Sequence, residues 1–72
     1  MDNNTKAIYD DLSRQITEKE RRIEEIQTKI DAGGDKEKIA RWEKREKTLN
    51  ADIQALRKQQ NELLGNFYFT FI

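Results

Sequence analysis

The side chains that could take part in catalysis are few, and their spacing does not bring them together. Ser13 is the single serine, and the chain has no histidine or cysteine to activate it or to bind zinc, haem or an iron–sulfur cluster. The adjacent pairs Asp10-Asp11 and Glu24-Glu25 would point about 100° apart on a helix, so their carboxylates do not converge. We therefore expect no catalytic residues and no enzyme activity.

The glycines and aspartates near the middle of the chain do not complete a ligand site either. Gly33-Gly34 is not followed by Lys and Ser or Thr at the spacing of a phosphate-binding loop. Asp31 and Asp35 flank these glycines but supply too few oxygen ligands for a calcium loop. We expect no cofactor and no metal.

The composition predicts an elongated helical protein with a thin core. The 72 residues include 14 basic and 14 acidic side chains, and charged residues (39%) outnumber apolar ones (35%). There is no proline and there are only three glycines, so few positions can interrupt a helix. The glycines divide one small domain, residues 1–72, into a helix at 4–31, a turn at 32–35, a helix at 36–64 and a tail at 65–72.

Both long segments carry mainly apolar residues at alternating spacings of three and four, the heptad pattern of a coiled coil. We call all positions at this spacing the seam, including the three that polar residues occupy. The residues of the seam are Tyr9, Leu12, Ile16, Lys19, Ile23, Ile26 and Ile30 in the first segment and Ile39, Trp42, Glu46, Leu49, Ile53, Leu56, Gln60 and Leu63 in the second. Asp35 is suited to cap the start of the second helix, and Gly65 to follow its end.

A short glycine turn between two helices of matched length predicts an all-α fold, an antiparallel two-helix coiled-coil hairpin. In that register Lys19 and Glu46 fall in adjacent middle layers on opposite helices. One interpretation is that they form a polar pair that fixes the register. The other is that Lys19 extends out of the seam while Glu46 lies in solvent.

One side of the hairpin combines basic residues from both helices, which we call the basic edge. Arg22 would face Arg45 and Lys29 would face Lys38, with Arg41 nearby towards the turn. This edge could receive an acidic partner or a phosphate backbone. Alternatively, it is a solvated face that nearby acidic residues neutralise.

The tail differs from the rest of the chain because it is aromatic and uncharged. Its composition is typical of a β-strand, so we expect a short β-like tail at the end of the hairpin. An exposed strand of this kind needs cover, from its own hairpin, from a second copy or from another protein. The residues that we expect to bind a partner are Phe67, Tyr68, Phe69, Phe71 and Ile72.

These features favour a non-catalytic protein-interaction module, with the hairpin as a spacer and the tail as the binding element. Small proteins without site chemistry are often adaptors or inhibitors, including those that phages and mobile elements carry. The alternatives are a nucleic-acid-binding accessory protein that uses the basic edge, and a self-assembling structural protein. The chain starts without a secretory signal and has no membrane span, so we expect a soluble, cytoplasmic protein.

Overall fold

The computed structural model describes the backbone from Asp2 to Phe71 and the side chains from Asp2 to Gly65. Two helices, α1 (Asn3–Asp31) and α2 (Lys36–Phe71), pack against each other in antiparallel orientation. The molecule is a rod of 54 × 17 × 13 Å. The prediction of an all-α two-helix hairpin is confirmed.

An aspartate side chain caps the start of each helix. The amide of Thr5 donates a 2.6 Å hydrogen bond to Asp2 Oδ1. This bond stabilises the ionised form and lowers the pKa of the Asp2 carboxyl below its ordinary value. At the second helix, the amide of Glu37 donates to Asp35 Oδ1 at 3.2 Å, which confirms the predicted cap.

The turn between the helices depends on the two central glycines. Gly33 and Gly34 have φ angles of 82° and 139°, a region that residues with a Cβ atom rarely adopt. The amides of Ala32 and Gly33 donate 3.0 Å hydrogen bonds to the carbonyls of Thr28 and Ile30. These bonds satisfy carbonyl groups at the end of α1, and the reversed chain then enters α2 at Lys36.

The predicted seam is the core of the hairpin, since all of its residues are buried or half-buried. None of the described side chains is completely enclosed, because only one row of side chains separates the two helices. The most buried apolar residues are Leu12, Ile16, Ile23, Ile26, Leu49 and Ile53.

The predicted β-like tail is wrong, because α2 continues to Phe71 and the described residues contain no strand. Gly65 lies inside the helix, and its φ angle is not positive, so it does not end α2 as expected. No proline follows to stop the helix, and β propensity yields readily to context. The helical backbone therefore extends through the aromatic segment.

Candidate functional site

Helix α1 ends and α2 starts at the same turn, but α2 is longer, so it extends beyond the start of α1 at the open end of the hairpin. Helix α1 has 29 residues and α2 has 36, a difference of seven residues. At about 1.5 Å per residue, α2 projects roughly 10 Å past the start of α1. We call this projection, residues 65–71, the overhang.

The overhang contains most of the aromatic residues of the chain. Phe67, Tyr68, Phe69 and Phe71 lie on its helical backbone, while Ile72 lies outside the described residues. The side chains from Leu63 onwards carry no charge. The sequence-based assignment of these five residues to partner binding stays a prediction.

One large apolar side chain of the described part is exposed, and it lies at the same open end. Ile8 is 52% exposed, five residues after the start of α1. Tyr9, Leu63 and Leu64 in the same region are half-buried. The open end therefore presents apolar surface on α1 close to the aromatic overhang of α2.

A polar contact between the two helices lies next to the overhang, on the side towards the turn. Gln60 occupies a seam position and is only 9% exposed. Its Nε2 donates hydrogen bonds to the carbonyl oxygen of Tyr9, at 3.1 Å, and to Ser13 Oγ, at 2.7 Å. No other side-chain hydrogen bond joins the helices in the described part of the chain. Sequence periodicity placed Gln60 in the seam but did not reveal its two acceptors.

The other polar seam residues are arranged differently from the proposed Lys19–Glu46 pair. Lys19 Nζ lies 3.7 Å from Asp52 Oδ2, and 26% of the Lys19 side chain is exposed. Glu46 is half-buried and takes part in none of the ion pairs among the described residues. The aliphatic part of Lys19 thus crosses the seam while its ammonium group meets an acidic residue at the rim.

The hairpin brings three of the five residues of the basic edge together. Arg22, Lys29 and Arg45 line one shallow groove, whose floor includes Ile26 and Leu49. Lys38 and Arg41, which are exposed, are not among the residues of this groove.

Acidic residues reduce the positive charge of the groove. The guanidinium of Arg22 lies 3.1 Å from Glu18 Oε1, and Glu25 is itself part of the groove lining. Both partners of the Arg22–Glu18 pair are more than half exposed, so the pair adds little stability but compensates charge locally.

The described residues include no group of three or more potential metal ligands. Neither described helix has an apolar stretch long enough to cross a membrane. Among the described residues, further open grooves run along the helices, such as the one beside Ser13, Thr17 and Arg57.

Fold and surface together define a small helical hairpin whose exposed Ile8 and aromatic overhang both lie at its open end. Comparisons with protein-family models, with curated proteins and with solved structures found no match to this chain. The functional assignment therefore depends on the surfaces described above.

Proposed function

We propose that this chain is a non-catalytic protein-interaction module, an adaptor or an inhibitor of a partner protein. In this proposal the hairpin is a coiled-coil spacer and the aromatic overhang is the binding element. The observation that carries it is the seven-residue overhang, which places the uncharged aromatic segment where α1 no longer runs alongside α2.

The physical argument starts from an uncharged aromatic segment of helix that α1 does not flank. Aromatic side chains dominate the energetics of interfaces, and contiguous exposed apolar patches mark interaction sites on soluble proteins. Exposed Ile8 adds to this surface from the neighbouring helix. A helical end that carries aromatic residues is suited to an apolar groove or another helix of a partner.

The proposal is tested with a charge-insertion variant of the full chain. Phe67→Glu combined with Phe71→Glu, which lie on one face of the helix, should abolish association, because an interface would have to bury two carboxylates without partners. The matched control adds the same two charges to exposed positions of the same helix, Ala51→Glu and Ala55→Glu.

Association is measured by affinity capture with mass spectrometry, and each captured protein is then titrated against purified chain. The overhang variant should lose both capture and titrated binding, whereas the control should keep them. If wild type and overhang variant bind the same proteins with the same affinity, the overhang is not the binding element and the proposal fails.

A second candidate function is nucleic-acid binding, supported by the groove that Arg22, Lys29 and Arg45 share. Phosphate contacts by these side chains would make the affinity fall steeply with salt. Arg22→Glu with Arg45→Glu should then abolish binding to a DNA or RNA duplex in fluorescence anisotropy. Equal affinities for wild type and variant, or affinity that does not change with salt, would eliminate this candidate.

A further inference from the structure

We infer that the partner of the open end is a second copy of this chain, bound so that the ends of the two α2 helices run antiparallel beside each other. This inference rests on the proposed function, since it uses the same binding element. Three features favour a second copy as the occupant: the thin core of the hairpin, the absence of charge on the overhang, and the area that the open end can bury.

The thin core means that a single hairpin has little to stabilise it. Six apolar side chains are buried in the described part, and none of the described side chains is completely enclosed. Chains of this size seldom gain more than about 3–5 kcal/mol from one core, and many gain the rest by oligomerising. Two hairpins that overlap at their open ends place the overhang of each against both helices of the other, which adds a second layer of apolar contacts.

The charge distribution allows two copies to approach at this end. A two-fold symmetric interface brings the same surface of both subunits together, so any net charge on it would face itself. The overhang has no charged side chain, and the whole chain has a formal net charge of zero. Glu62 is the one charged residue of α2 within the 60–71 overlap, and the antiparallel arrangement places it level with residue 69 of the other copy, about 10 Å along the helix from the second Glu62. Neither two like charges in contact nor a net charge on the chain therefore opposes this interface.

The open end offers enough apolar surface for a dimer. An aromatic side chain can bury roughly 150–250 Å². On the helical backbone Phe67, Tyr68 and Phe71 fall within about 100° of one another, so these three can face one partner and supply on the order of 600 Å² per subunit, near the lower end of what each partner contributes to a standard interface. Exposed Ile8 adds to this area if the overlap reaches it.

Helix geometry determines how much overlap that requires. Ile8 lies on α1 at the level of Gln60 on α2, since Gln60 contacts the carbonyl of the adjacent Tyr9. Twelve residues, 60–71, separate this level from the described end of α2 and span about 18 Å. An antiparallel overlap of that length brings each overhang alongside the Ile8 turn of the other subunit.

The test uses a substitution on α1 near the overhang. Ile8→Asp places a charge in the proposed interface, at a position that is 52% exposed in the single hairpin. Ala7→Asp is the matched control, because Ala7 is the adjacent exposed residue and points about 100° away on the helix. Circular dichroism checks that both variants keep the helicity of wild type.

Sedimentation equilibrium at concentrations up to about 100 µM measures the dimer dissociation constant by mass action. Wild type and Ala7→Asp should reach twice the chain mass of 8.6 kDa. Ile8→Asp should raise the dissociation constant at least about tenfold, because a buried carboxylate would lack a partner.

A wild-type chain that stays monomeric throughout this range would overturn the inference. An Ile8→Asp variant that dimerises as tightly as the control would also overturn it, since Ile8 would then lie outside the contact. Either result leaves the proposed function open to its own test, which depends on Phe67→Glu and Phe71→Glu and on captured proteins other than the chain itself.

Discussion

Replacing Gln60 by alanine should destabilise the hairpin by about 2 kcal/mol, because it removes both hydrogen bonds that Gln60 donates across the seam. A neutral intramolecular hydrogen bond contributes about 0.5–1.5 kcal/mol net, so two bonds give roughly 1–3 kcal/mol. The acceptors are not left unsatisfied in the variant. The Tyr9 carbonyl also accepts a bond within α1, and water can reach half-buried Ser13.

A double-mutant cycle separates the two bonds. Ser13→Ala removes only the 2.7 Å bond and should cost about 1 kcal/mol. The Gln60→Ala/Ser13→Ala double variant should cost less than the sum of the single changes, with a coupling energy of about 1 kcal/mol. Gln59→Ala is the control, since Gln59 is exposed and its replacement should change stability by less than about 0.5 kcal/mol.

Urea unfolding followed by circular dichroism measures these differences, with all variants at one protein concentration so that any self-association contributes equally. A loss of about 2 kcal/mol also corresponds to a fall in Tm of roughly 10 °C for a chain of this size. A coupling energy below about 0.3 kcal/mol would refute the argument. So would a Gln60→Ala variant as stable as Gln59→Ala.

Three further changes test other parts of the structure. Gly65→Ala should raise the free energy of unfolding in urea by about 0.5–1 kcal/mol, because Gly65 is helical and an added Cβ meets nothing within 4 Å. A lower free energy of unfolding would indicate that α2 ends at Gly65. The hydrogen bond from the Thr5 amide lowers the pKa of Asp2, so this cap stabilises the fold at neutral pH and is lost as the pH falls through that lowered pKa. The Thr5 amide chemical shift should follow this titration in NMR, and Asp2→Asn should abolish it. Lys19→Ala and Asp52→Ala should couple by less than about 1 kcal/mol in a double-mutant cycle, and high salt should reduce the coupling, because Asp52 is half exposed.

Heptad spacing was sufficient to predict which residues form the core of the hairpin. Apolar residues at alternating spacings of three and four form a stripe along each helix, and the two stripes pack against each other. Only Gly33-Gly34 could reverse the chain between two segments of matched length. Leu12, Ile16 and Ile53 are accordingly among the most buried side chains. Periodicity identifies positions on a helix, and in a two-helix hairpin those positions determine burial.

The polar contacts were harder to predict because they depend on side-chain reach. Lys19 and Glu46 lie one layer apart by register, but a lysine side chain is long enough to leave its layer and meet Asp52. Ser13 lies beside the seam, where its small side chain leaves room for the amide of Gln60. Spacing alone does not choose between acceptors at similar distances along the helix.

The end of α2 could not be predicted from composition. An aromatic segment favours a strand when a sheet is available to receive it, and a helix when an existing helix continues into it. Adding a residue to a formed helix avoids the cost of nucleation, so Gly65 alone is a weak stop. The overhang, and with it the candidate binding element, follows from this continuation.

The antiparallel arrangement places the first residue of α1 and the aromatic end of α2 together, with the turn at the far end of the rod. A mechanical load applied between these two ends would pull the helices apart from the open end, one seam layer at a time, instead of shearing all layers together. The contact of Gln60 with Tyr9 and Ser13 is among the first that such a load meets. A partner that binds both helices at the open end would therefore oppose their separation under load. A partner that binds only one helix would transmit the load to the seam.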